Sequence, residues 1–221
     1  MPESTQLDHS IAQQIRRLSE RGIAELAGLT GHEFRMLAKD TLASAAEASS
    51  DERTATVVVH PSLVPAASLA ALLERDGKPG FVVEDMTDLE EFRPIGDAPV
   101  PDQPLYLVHD IDRGDDMQNW SPDEALAELR TRGRRPLTVT EGISWLLQHP
   151  DRLEPGSCFM TIGSRRRTAR GSDARTPAIW ISGGTGRDGR ERRGAPKVGW
   201  CWARNRHTWL GFASAAPIVS D

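Results

Sequence analysis

The chain has 221 residues and a net charge of −5, enough for one large domain or two small ones. Two cysteines exclude a disulfide-built scaffold. No apolar run reaches about 18 residues, and the polar start MPESTQLDHS lacks a signal peptide's apolar core, so a cytoplasmic protein with no membrane partner is expected. Charge is unevenly placed. Residues 1–100 carry 9 Lys/Arg against 17 Asp/Glu, 101–150 carry 5 against 9, and 151–221 carry 13 against 6. Four of the six tryptophans fall in that basic last third.

Ile11, Ile15, Leu18, Ile23 and Leu26 recur at helical spacing, which predicts a helix over 10–27 with a kink at Gly22. Thr30 and Glu33 form a capping-box pattern opening a second helix, with Phe34, Leu37 and Leu42 as its apolar stripe. The polar stretch 44–54 then divides a helical subdomain, 1–50, from an α+β domain, 51–221. Strand-like ATVVVH (55–60), a helix over 66–75 and strand-like GFVVED (80–85) predict a βαβ unit with parallel strands. Four prolines make 92–104 an extended connection, and PLYLVHD (104–110) a strand. Helices follow at 122–131, opened by Ser121 and Pro122, and at 140–149, opened by Thr140. The remainder predicts four strands, 158–163, 177–183, 197–203 and 207–213, as an antiparallel meander in a mixed sheet. Two arginine-rich loops between them, 164–176 and 184–195, contain almost nothing apolar to bury and are expected to be exposed and mobile.

Three segments carry chemistry worth weighing. In 23–39, Ala24, Ala27, Gly28, Leu29 and Thr30 resemble the turn of a helix-turn-helix, which would aim Thr30, Gly31, His32 and Arg35 at a major groove. Residues 1–50 hold 5 basic and 7 acidic side chains, a poor start for phosphate neutralisation, so an ordinary helical hairpin is favoured. The run His109–Asp116 is acidic and follows a strand. It lacks the glycine position and terminal glutamate of a calcium loop, so no metal is assigned, and Asp110 and Asp112 are the pair to consider.

The densest constellation is the tail. Alternation puts Trp200 and Trp202 on one strand face and Cys201 on the other. The turn 203–206 would bring His207 near Trp202, with Trp209 on the same face as His207. The tryptophans would wall or stack a ligand, Asn205 and Arg206 would bind its anion, and His207 would be the one proton carrier near pH 7. Such a pocket suits a nucleotide or a phosphorylated metabolite; no cofactor is identified. Opposite faces argue against Cys201 and His207 as a nucleophile pair. The competing readings are a nucleic-acid-binding regulator using 23–39 and the basic tail, and a structural or interaction protein whose tryptophans fill its core. Removing the two arginine loops leaves the last third at +1, so charge favours the regulator little.

PLYLVHDIDRG, RRPLTVTEGISWLLQHP, CFMTIGSR, PAIWISGG and KVGWCWARNRHTWLGFASA resemble an uncharacterised actinobacterial family of unknown function, over about residues 19–215. The tail GWCW…HTWLG is the most specific part. The resemblance implies a bacterial cytosolic protein from a GC-rich genome, in keeping with only three lysines among 27 basic residues, and implies no activity. In that pattern the spacers around PAIWISGG are shorter, and a proline stands where this chain has Arg206.

Overall fold

The computed structural model describes residues 3–47, 55–169 and 171–218. Helix α1 (Glu3–Glu20) buries Ile11, Ile15 and Leu18 along one stripe. The chain breaks at Gly22, makes the single turn α2 (Ile23–Leu26), and re-enters as α3 (Gly31–Glu47). The Thr30–Glu33 capping box opens α3: the Thr30 amide and hydroxyl both donate to Glu33, and the Glu33 amide donates to Thr30 Oγ1. Helices α1 and α3 pack together as the expected hairpin. Residues 48–54, most of the expected joint between subdomains, lie outside the described residues.

Strand β1 (Ala55–Val59) is buried at all five positions because α1 and α6 (Val139–Gln148) both pack against it. It pairs antiparallel with β6 (Leu105–His109), Ala55 opposite His109 and Val59 opposite Leu105. Its other edge is closed by side chains: Gln14 donates to the Ala55 carbonyl and accepts from the Val57 amide, and Ser144 Oγ accepts from the Val59 amide. Buried backbone groups must find partners, and here two helices supply them.

The expected parallel βαβ pair is not formed. After β1, α4 (Ala66–Ala71) is only six residues long, and the chain then folds into a hairpin, β2 (Glu74–Arg75) with β3 (Lys78–Pro79). Its turn residues Asp76 and Gly77 have φ of +51° and +73°, the geometry an Asp-Gly hairpin turn requires. The hairpin carries β4 (Phe81–Val82) into a different sheet from β1, parallel to β13 (Pro196–Trp202).

That sheet has five strands in the order β14-β8-β12-β13-β4, with β8 Cys158–Met160, β12 Arg175–Ile181 and β14 Leu210–Phe212. Strands β8, β12 and β13 form the expected antiparallel meander. The last strand instead crosses to the far edge and runs parallel to β8, because the turn after Trp202 leads the chain past α5 (Pro122–Thr131). One face, through Phe159, Ile179 and Val198, joins the core shared by α1, α3, α6 and β1. The other, through Cys158, Met160 and Phe212, packs on Met117, Ala125 and Leu129. The architecture is α+β with a mixed sheet.

Helix α5 begins as predicted, with Ser121 as N-cap and Pro122 at N1, and the structure adds a capping box to Glu124. In α6 the N-cap is Thr138 rather than Thr140: Thr138 pairs with Glu141 three residues on, while Thr140 is buried within the first turn. Short strands complete the chain: β5 (Arg93–Pro94) pairs with β9 (Ser164–Arg165), β7 (Arg135–Pro136) with β15 (Ser214–Ala215), and β10 (Arg167–Thr168) with β11 (Gly171–Ser172). Among their described residues the two arginine loops are largely exposed, as expected, but carry short strands, turns and ion pairs. In the first, Arg175 binds Asp88 and Asp173, and Arg166 binds Asp88 and Glu91. In the second, buried Asp188 accepts from Ser182 Oγ and Lys197 Nζ at 2.7 and 2.8 Å, and Arg192 lies 4.5 Å over the Phe81 ring. Among the described residues no helix is long and apolar enough to cross a membrane.

Candidate functional site

The tail tryptophans divide by depth. Trp200 sits on β13 against the larger core, and its indole N–H donates to Asp85 at 3.2 Å. Trp202, two residues on and on the same face, meets it edge-on with ring centroids 4.6 Å apart. Trp202 itself is 47% exposed and Trp209 42%. Cys201 points to the opposite face, half-buried beside the smaller core, as alternation requires. Burial pushes its thiol pKa up, which removes the thiolate a nucleophile needs.

The strand expected over 207–213 starts only at Leu210, so His207 and Trp209 lie in the turn before it. Their rings pack at 5.1 Å, and the His207 carbonyl accepts from the Asn119 amide. Asn205 is exposed beyond the turn, its amide donating to the Trp202 carbonyl. Arg206 is already engaged, ion-paired with Glu124 and donating to the Asn119 carbonyl. As placed, the tail offers two exposed indoles, while Arg206 is held by a carboxylate.

Asp110 and Asp112 line a cavity of about 360 Å³ together with Asp115, His149 and Glu154. Asp110, at φ +52°, ion-pairs with Arg134 at 2.6 Å, and Asp112 accepts from the Gly114 amide at 2.7 Å. Desolvation raises the Asp115 carboxyl and lowers the His149 imidazole. Among the described residues no group of three His, Cys, Asp or Glu is arranged to hold a metal ion.

In the helix-turn-helix-like segment, Thr30, Gly31, His32 and Arg35 are exposed, and so are Leu26 and Met36. Thr30 spends its hydroxyl on Glu33, and the helix before the turn is a single turn long.

A second constellation lies near the tail, unforeseen from the sequence. Arg93, Arg165, Arg166 and Arg167 line a cleft of about 340 Å³ with Glu91 and Ser172. Backbone contacts connect it to the tryptophan end. The Ala203 amide donates to Ala174, the Asp123 amide donates to Ala203, and the Asp123 carboxylate stands 4.0 Å from Arg165. The signal in the sequence was the SRRRT run itself; Arg93 comes from a proline-rich connection that gave no strand signal.

No curated protein and no solved structure matches the chain. A family model matches residues 17–220, and the chain belongs to that family, DUF5701, a family of unknown function.

Proposed function

We propose that this protein binds a small aromatic or anionic ligand, of the class of nucleotides and phosphorylated metabolites, at the tryptophan-bearing end of its five-stranded sheet. The carrying observation is that Trp202 and Trp209 keep 47% and 42% of their surface open on a protein that buries its other large aromatic rings wholly or in part. An exposed indole held in place can serve as a stacking surface, and stacking of a base on an aromatic ring contributes about 1–3 kcal/mol. Trp200 supplies the rigidity, fixed by Asp85 and meeting Trp202 edge-on. His207, against Trp209, is the residue positioned to exchange a proton with such a ligand. Two unpaired cysteines support a cytoplasmic setting.

The test is a thermal-shift screen with nucleoside mono-, di- and triphosphates and sugar phosphates, because stabilisation reports binding without assuming a reaction. At least one compound should raise Tm, and Trp202→Ala and Trp209→Ala should abolish that rise while leaving the unliganded Tm within a few degrees. A screen without hits, or hits that both variants retain, would overturn the reading. Binding of an oligonucleotide alone, falling steeply with salt, would move the function to the 23–39 segment and the basic tail.

A further inference from the structure

One cleft keeps an unbalanced charge after its described ion pairs are drawn. Strands β5 and β9 pair antiparallel with Arg93 directly opposite Arg165. Residues so placed have Cβ atoms about 4.5–5.5 Å apart, and like charges there are destabilising. Arg167 follows two residues on, and Glu91 is the single carboxylate among the lining residues. Arg166 is satisfied, with Asp88 and Glu91 each at 2.7 Å and Asp173 at 3.5 Å. Among the described residues the other three have no carboxylate closer than 4.0 Å. Arg93 and Arg167 have no side-chain hydrogen bond or ion pair among the described residues. The Arg165 side chain is 15% exposed and donates to the Asp173 carbonyl at 3.1 Å, but its carboxylate partner Asp123 is 4.0 Å away and its buried Nε has no hydrogen-bond partner. Desolvation pulls the Arg165 pKa down, and Asp123 and Asp173 only partly oppose it.

We propose that this cleft is a binding site for the phosphoryl group of a small molecule, held by the guanidinium groups of Arg93, Arg165 and Arg167. Guanidinium forks match phosphate oxygens two at a time, and an oxyanion among three of them turns a repulsive cluster into an attractive one. The cleft's volume, about 340 Å³, lies at the lower end of the range for small-ligand sites. The proposal stands without the tail tryptophans, since none of its residues belongs to that cluster.

Calorimetric titration of the full chain with sodium pyrophosphate, at ionic strength held constant with sodium chloride, tests it. Wild type should bind saturably, Arg93→Gln and Arg167→Gln at least tenfold more weakly, and Arg190→Gln, at an exposed position outside the cleft, like wild type. Arg93→Gln should also raise the Tm of the unliganded protein by removing one of two opposed charges, an effect that lost structure could not give. The proposal is overturned by an absence of saturable heat in wild type, or by equal weakening in Arg190→Gln. It is likewise overturned if a single-stranded decanucleotide binds in an Arg93-dependent way while pyrophosphate does not, because the cleft would then serve a nucleic-acid backbone.

Discussion

Glu141 and Arg135 meet in the interior through two hydrogen bonds of 2.8 and 3.0 Å, with side chains 0% and 4% exposed. Glu141 also accepts from the Thr138 amide at 2.8 Å and from the Tyr106 hydroxyl at 3.1 Å, so one carboxylate ties the start of α6 to β7 and β6. Removing one partner leaves the other charge buried and uncompensated, which costs about 3–5 kcal/mol. Glu141→Gln and Arg135→Met should each lose stability on that scale in urea unfolding. The double variant Arg135→Met/Glu141→Leu should recover part of the loss, because it leaves no orphan charge.

A second network sets the response to acid. Arg175 donates to both oxygens of Asp88, at 3.0 and 2.6 Å, and to Asp173 at 2.8 Å. Hydrogen bonds from Arg175 hold both carboxyls below the usual Asp range, and Arg130 does the same for Asp97. A folded pKa below the unfolded one means the stabilisation is complete above the unfolded value, about 3.9. It is lost as pH falls from there through the folded pKa. Tm measured between pH 6 and pH 2 should therefore fall most steeply below about pH 4. In Asp88→Asn the fall should be shallower and begin from a lower plateau.

The capping box at Thr30–Glu33, the Ser121–Pro122 start of α5 and the run of the β8-β12-β13 meander were legible because each depends on residues within one or two turns or strands. The Asp76-Gly77 hairpin was equally local, yet the apolar signal of residues 66–75 masked it, and the βαβ reading followed from that. Strand pairs two residues long, such as Arg93–Pro94 with Ser164–Arg165, have no periodicity to read. In that pair the partners are 72 and 70 residues apart, and tertiary contact alone selects them. Trp200 and Trp202 sharing a face followed from alternation, but the commitment of Arg206 to Glu124 depends on where α5 lies.

Gly114 shows how tightly the acidic run is seated. Its φ is +74°, and a Cβ there would stand 2.2 Å from the Phe212 carbonyl oxygen. The main-chain strain alone costs a side chain about 1–3 kcal/mol, and the clash with a buried strand adds to it. Gly114→Ala should lower the unfolding free energy by at least that much, read as a lower urea midpoint with an unchanged m-value. Gly96→Ala, where a Cβ meets nothing within 4 Å, should leave the midpoint nearly unmoved.

The exposure of the tail indoles can be measured in the unliganded protein. Of the six tryptophans, Trp145 is buried, Trp120, Trp180 and Trp200 are partly buried, and Trp202 and Trp209 are exposed. Acrylamide is neutral, so arginine-rich surroundings do not concentrate it as they would iodide. Trp202→Phe/Trp209→Phe should lower the Stern–Volmer slope of the native protein by more than half. Trp145→Phe should leave the quenchable fraction unchanged, since its ring is packed edge-on against Phe159 at 5.4 Å. A ligand stacked on the tail should reduce quenching in wild type and leave the double variant unaffected. If the double variant quenches like wild type, the tail indoles are covered in solution, and the stacking surface on which ligand binding rests is absent.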